Sequence, residues 1–294
     1  MLKLGPREKW AQGSGLGKPG QIDARSRAFW LRWVRPAVWL AFRPEFEGAE
    51  HLPSARPFML VANHSGMGNA EILVLVIFLL ERLGTIGPIA PMVHPISYNA
   101  WPNGGWMKRL GAIPSTYEAA TAALTSGIPV LVMPGGDHEA QRPIWQASQV
   151  DFAGRKGFLK IARVAQVPIV PMGIQGSHFT APVLWRSDHL LPWLLIGPRL
   201  LGLKRYALSL MGLIGVVAVF AWRPAGSLAL SVLLAWLWLL LPFATLPWVP
   251  WKIRVRIGTP LTPEELFGHD PRASLDEAYR RVQSAVRSLV GGPG

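Results

Sequence analysis

The sequence predicts an α/β fold, a buried sheet flanked by helices, with an apolar helical hairpin inserted before the last strand. Three observations carry this expectation. Short continuous apolar runs at residues 58–62, 129–133 and 167–172 read as strands covered on both faces. Longer helix-like stretches alternate with them, the order of an α/β domain. Two ungapped apolar runs, 206–222 and 226–241, then precede a strand at 252–258, where Ile253, Val255 and Ile257 alternate with other residues, mostly basic.

Residues 1–26 are Gly- and Lys-rich without an apolar period, and a mobile basic arm is expected. Its Gly15-x-Gly17-x-x-Gly20 follows no strand and contains Pro19, so no dinucleotide cofactor is implied. The arm also lacks the continuous apolar core of a signal peptide. Residues 27–43 interleave Trp30, Trp33 and Trp39 with Arg32, Arg35 and Arg43, the pattern of an interfacial membrane helix. Residues 44–190 read as the first part of the α/β domain, 191–250 as the hairpin, and 251–294 as the last strand and C-terminal helices. In the first part, Gly66 and Gly68 permit a tight turn, and Asn69 is an N-cap for a helix over 70–83 that Gly84 stops. A second strand is expected within 85–93. Ser115 with Glu118 reads as the capping box of a helix ending near Gly127, and another helix opens within 151–158. Ser274 and Glu277 form a second box before the core stripe Leu275, Tyr279, Val282, Val286 and Leu289.

Half of the 294 residues are hydrophobic, only 16% are charged and the mean hydropathy is +0.25, which points to a membrane. The net charge of +13 suits an anionic lipid surface, and the Trp-rich apolar runs favour lipid over nucleic acid, for which no recognised motif is present. The absence of cysteine excludes disulfides, cysteine nucleophiles and thiolate metal sites. Each hairpin run is shorter than the roughly 20 residues of a membrane span, near the lower end of about 17, leaving spanning and dipping into one leaflet both open. Trp222, Trp248 and Trp251 lie near the run ends. Lys204, Arg205, Lys252, Arg254 and Arg256 flank the base, against Arg223 at the tip, so the base is expected on the cytoplasmic face.

His64 stands where the chain leaves strand 58–62 for a helix, the place at which an α/β sheet offers side chains to a ligand. After the strand at 129–133 comes Pro134-Gly135-Gly136-Asp137-His138-Glu139-Ala140-Gln141-Arg142, whose paired glycines allow close backbone approach and whose consecutive amides suit an anion. Lys108, Arg109, Arg142 and Arg155 keep phosphate binding open. A metal hydrolase would draw on His64, Glu71, His94, His138 and Glu139, but no ligand spacing such as His-Glu-x-x-His is present, and no metal is expected. Without Gly-x-Ser-x-Gly, Ser65 is a poor nucleophile.

The turn Asn63-His64-Ser65-Gly66 resembles the first motif of the glycerolipid acyltransferases, the lysophosphatidic acid acyltransferase-like family, where Asp follows Asn-His after four residues. Asn69 holds that position here, and Glu71 lies two residues on. Gly135 stands where the third motif, Phe-Pro-Glu-Gly, has glutamate, giving the Pro-Gly-Gly-x-x-Glu form of the diacylglycerol acyltransferase-like branch. Val167-Pro168-Ile169-Val170-Pro171 is similar to the fourth motif, while the second-motif arginine is missing from residues 110–114. The resemblance covers roughly 46–175, with a tail at 252–261.

It implies a mixed sheet flanked by helices and acyl transfer to a lipid hydroxyl, with acyl-CoA or acyl carrier protein as co-substrate, membrane lipids as partners and no cofactor. His64 would be the general base, with Glu71 or Asn69 as its partner; Glu71 is favoured because a charge stabilises the imidazolium. Ser65, Gly66, Lys108, Arg109, Gly135, Gly136, Glu139, Arg142 and Arg155 would bind substrate. Because Asn69 and Gly135 depart from the usual motifs, a non-catalytic lipid-binding relative is the alternative.

Overall fold

The computed structural model describes residues 19–54, 57–67, 69–86, 88–99, 103–188, 190–195, 205–268 and 274–291. Gly15, Gly17, Gly68, Lys204 and most of the expected basic arm lie outside them. The arm's end is ordered, because the Asp23 carboxylate caps a helix by accepting from Ser26 N at 3.0 Å. That helix, α1, runs through Ala24–Phe29, a π turn at Trp30–Val34, and Arg35–Phe42.

Seven strands follow the order β1-β9-β6-β2-β5-β3-β4. They are β1 (Glu45–Glu47), β2 (Met59–Ala62), β3 (Ala90–Val93), β4 (Ile113–Pro114), β5 (Val130–Val132), β6 (Ile169–Gln175) and β9 (Arg254–Ile257). All neighbours are parallel except β6 and β9, which run antiparallel, so the sheet is mixed as expected. A two-stranded antiparallel ribbon, β7 (Val183–Ser187) with β8 (Tyr206–Ser209), stands apart.

β2 is central and buried on both faces. Met59 and Val61 belong to the core beneath α3 (Tyr117–Thr125), α5 (Gly157–Ala165) and α8 (Leu275–Val290). Phe58, Leu60 and Ala62 pack on the other side with α1 and α2 (Ala70–Ile86). The period-two alternation of one four-residue strand thus holds two helical layers together.

Several boundaries differ from expectation. Helix α2 continues two residues past Gly84, and the following strand shortens to Ala90–Val93. Asn69 has φ +52, a left-handed conformation rather than the extended one of an N-cap, and asparagine is among the residues that tolerate it. Thr116, not Ser115, caps α3 by accepting from Ala119 N. Ser274 does cap α8, but to Asp276 N instead of Glu277 N.

The first hairpin run also divides. Tyr206–Ser209 forms β8, and Ser209 then caps α6 (Leu210–Trp222); Ser227 caps α7 (Leu228–Leu240). Each helix has 13 residues, about 20 Å at 1.5 Å per residue, against roughly 30 Å of bilayer hydrocarbon. No helix among the described residues is long and apolar enough to cross a membrane, which corrects the spanning alternative, that of a transmembrane helix. The pair is still a hairpin. The Trp238 indole lies where a Cβ at Gly215 would be and donates from Nε1 to Gly212 O at 3.2 Å, so glycine allows the helices to meet.

At the end of β2, Asn63 replaces main chain with side chain. Its Nδ2 donates to Ile174 O at 2.8 Å and its Oδ1 accepts from Ile174 N at 2.7 Å, extending the pairing with β6 one step beyond the strand. Asn63→Ala leaves both Ile174 groups buried without partners and is expected to cost about 2–4 kcal/mol, read as a lowered denaturation midpoint at unchanged m-value.

Candidate active site

His64 follows Asn63 directly, so the fixed end of β2 also fixes the start of the site. Its Nδ1 lies 2.6 Å from Glu71 Oε1, on the first turn of α2. The contact is an ion pair in which Nδ1 does not meet the geometry of an aligned hydrogen bond. Glu71 has no exposed surface, whereas His64 is partly exposed and its Nε2 has no hydrogen-bond partner among the described residues. Burial pulls the His64 pKa down, but the Glu71 contact and charge, with smaller contributions from Glu139 and Asp137, raise it above its ordinary value. Burial pushes Glu71 up, and the His64 contact and charge bring it below the usual carboxylate range. Asn69 is exposed and makes no hydrogen bond to His64 among the described residues; its main-chain oxygen accepts from Ile72 N and Leu73 N. Glu71 is therefore the side chain the fold places against the imidazole.

A second buried carboxylate sets the main chain of His64. Glu139 Oε2 accepts from His64 N at 2.9 Å, while Oε1 accepts from Asp151 N at 2.9 Å and from Arg142 at 3.2 Å. Burial raises the Glu139 carboxyl above its ordinary value, against the pull of the His64 and Asp151 amides and of Arg142. Arg142 is itself only 3% exposed and also donates to Gln149 O. Glu139 and Arg142, expected to bind substrate, are thus held inside a clasp that ties the loop after β5 to His64.

The glycine turn is likewise partly committed. Gly136 N donates to Met133 O at 3.1 Å, which removes one of the two amides expected to face an anion. Arg155 Nη1 donates to Pro134 O at 3.1 Å and Gly135 O at 2.9 Å, and its Nη2 to Asp137 at 2.8 Å, so Arg155 braces the turn from outside. Gly136 has φ +47, and a Cβ there would come within 2.8 Å of Arg155 Nη1. Lys108 and Arg109 end the short helix Asn103–Arg109, where they lie over the Tyr98 and Trp106 rings, and among the described residues neither pairs with His64. His138 pairs with Asp151 at 2.9 Å, and among the described residues no three His, Cys, Asp or Glu side chains converge on a metal position.

Two residues of the turn after β6 escaped sequence reasoning. Ser177, fully buried, donates from Oγ to Glu71 Oε2 and accepts from Glu71 N at 3.3 Å. Gly66 makes this contact possible, since a Cβ on it would approach Ser177 O to 2.8 Å. His178 faces Glu139 O through Nε2 at 3.3 Å; a carbonyl only accepts, so Nε2 carries the proton and Nδ1 is left to receive Ser65 O–H at 3.5 Å. Burial depresses His178 to about 4, which keeps it neutral. Ser65 is 1% exposed, and its amide donates to Glu71 Oε1 at 3.2 Å, so it belongs to the frame of the site rather than to a substrate surface. Nothing before the fold linked Ser177 to Glu71, since both neighbours of the serine look like an ordinary strand exit.

The geometry makes a direct prediction. A histidine-resolved NMR titration should place the wild-type His64 pKa above 6.5. Glu71→Gln removes the charge and leaves burial dominant, so His64 should fall below 6.5, whereas Asn69→Ala should leave it unchanged. The pair's stabilisation is present between the two pKa values: it is lost as pH falls through the lowered Glu71 pKa and as pH rises through the raised His64 pKa.

Comparison with known proteins bears on the same region. A protein-family model described as Acyltransferase matches residues 43–175, which contain β2, His64, Glu71, the glycine turn and β6 up to Gln175. An uncharacterised protein of Mycobacterium leprae (strain TN) is 27% identical over 143 residues, 49% of this chain and 39% of that protein. The chain therefore spans well under half the length of this curated relative. Among solved structures, the 1-acyl-sn-glycerophosphate (LPA) acyltransferase PlsC of Thermotoga maritima aligns over 91% of this chain and 77% of its own, at 19% identity and a TM-score of 0.48. The family match thus gives residues 43–175 a likeness to the acyltransferase family, and the site around His64 lies inside it.

Proposed function

We propose that this protein is a membrane-associated acyltransferase that moves a fatty acyl group from a thioester, acyl-CoA or acyl carrier protein, to a hydroxyl of a lysophospholipid, glycerolipid or related lipid alcohol. The observation that carries the reading is the His64 imidazole, with Nδ1 turned to a buried carboxylate and Nε2 open, at the end of a strand in an acyltransferase-family region. Nε2 takes the proton of the acceptor hydroxyl as its oxygen attacks the thioester carbonyl. The new C–O bond forms, the C–S bond breaks, and the leaving thiolate recovers the proton from Nε2. Glu71 stabilises the imidazolium between these steps. No covalent enzyme intermediate is needed because a thiolate leaves readily.

Attachment to the cytoplasmic face of a membrane is part of the proposal. Hairpin residues Val217, Trp222, Leu228 and Val232 are each more than half exposed, and α1 exposes Trp33 and Leu40 beside its arginines. A surface of this size and character fits a leaflet better than water. Helices of about 20 Å suit embedding in one leaflet.

Labelled acyl-CoA or acyl carrier protein, offered with a panel of lipid alcohols and followed by mass spectrometry of the products, tests the reaction. His64→Ala should abolish turnover and Glu71→Gln should lower it by about a hundredfold or more, while Asn69→Ala should stay near wild type. Because the base works only when neutral, kcat/KM should rise with pH on a limb centred above 6.5. Lipid binding without any His64-dependent turnover would instead establish a non-catalytic relative. For attachment, Val217→Asp with Val232→Asp should move the folded protein from the membrane pellet toward the supernatant; an unchanged distribution would remove the hairpin from the proposal.

A further inference from the structure

A cavity of about 400 Å³ opens where β6 ends and β9 begins, with Arg43, Gly176, Phe179, Trp251, Lys252 and Arg254 in its lining and His64 outside it. Its charge is one-sided. Glu45 is the carboxylate paired with this group, shared between Lys252 and Arg254 at 3.2 Å from the latter, and those two cations hold it below its ordinary pKa. Three cations against one carboxylate leave a surplus that a further anion would neutralise. The Arg43 guanidinium makes no ion pair among the described residues and is exposed. One wall is an aromatic pair, Phe179 and Trp251, with ring centroids 5.0 Å apart. An apolar wall beside cations accommodates a group that carries an anion on a short carbon frame.

Position adds a second argument. Arg43 is the first residue after α1, and Trp251 and Lys252 lie on the chain's return from the hairpin. The two chain segments are joined by Ile253 N to Phe42 O at 2.9 Å and Glu45 N to Ile253 O at 3.0 Å. The cavity therefore sits where both exposed apolar elements leave the sheet, at the depth a headgroup layer would occupy if they enter a leaflet. Its floor is Gly176, at φ +101, where a Cβ would come within 2.1 Å of Lys252 O; the next residue is Ser177, which holds Glu71.

We propose that this cavity binds a phosphate-bearing anionic group, outside the His64 site, through Arg43, Lys252 and Arg254, with its carbon frame against Phe179 and Trp251. The placement makes an anionic phospholipid headgroup the source, and only that choice of source rests on the membrane attachment proposed above.

The test uses full-length purified protein, flotation with phosphatidylcholine vesicles with and without phosphatidylglycerol, and calorimetric titration with inorganic phosphate. Arg43→Gln with Lys252→Gln should reduce the phosphatidylglycerol-dependent gain in binding by on the order of thirtyfold, about fivefold per basic residue at an anionic surface. Lys160→Gln with Arg280→Gln removes the same charge elsewhere and should change it little. Binding to phosphatidylcholine alone reports hairpin attachment separately, so its loss would count against that attachment and not against the cavity. Phosphate heat that disappears in Arg43→Gln would identify a soluble phosphate as a sufficient ligand; its absence beside a vesicle effect would identify the lipid headgroup. Equal losses in the cavity and control variants, or no change in either vesicle binding or phosphate heat, would overturn the proposal. Should the double variant fail to fold, Arg43→Gln alone decides, since that guanidinium has no ion-pair partner to lose.

Discussion

The site depends on the cost of burying the Glu71 carboxylate. A carboxylate with no exposure must be surrounded by donors or lose its charge. Here its partners come from three directions: the Ser65 amide and the Ser177 hydroxyl donate to it, and the His64 imidazole lies in ion-pair contact. Satisfying that one group brings the loop after β2, the first turn of α2 and the turn after β6 to a common point. Asn63 and Gly66 make the convergence possible, the first by pairing with Ile174 and the second by having no Cβ to strike Ser177.

Much of this was legible because local signals and tertiary demands agreed. The strands at β2, β5 and β6 announced themselves as apolar runs needing cover on both faces, and His64 followed from its place at a strand exit. The partner of His64 could be argued from charge, and the fold places Glu71 there. Other features were not legible because they depend on pairings distant in sequence. Arg142 reads as a free cation until the clasp with Glu139 is seen, and Arg155 reads as a phosphate ligand until its hydrogen bonds to Pro134 and Gly135 appear. Tyr206–Ser209 looks like the start of an apolar helix because only its partner, Val183–Ser187, makes it a strand. Propensity makes Asn69 a cap, and its left-handed backbone overrides that reading.

The hairpin shows what hydropathy alone leaves undecided. Apolar composition identified the segment, but its length in helical form depends on where the strand stops and on the capping serines Ser209 and Ser227. Once those residues set the boundaries, neither helix is long enough for a straight crossing, and apolar side chains such as Val217, Leu228 and Val232 stay exposed along them. The contact of Trp238 with Gly215 then joins the two helices without a layer of side chains between them.

The Glu139 clasp has a consequence for how such a protein can diversify. The backbone of His64 hangs on a side chain 75 residues away, and that side chain is also bonded to the Asp151 amide. The segment between the glycine turn and Asp151 therefore works as an adjustable mount for the imidazole. Changes of loop length or sequence there would re-aim the imidazole while His64, Glu71 and Ser177 all kept their identity, so the orientation of the site can be tuned from outside it.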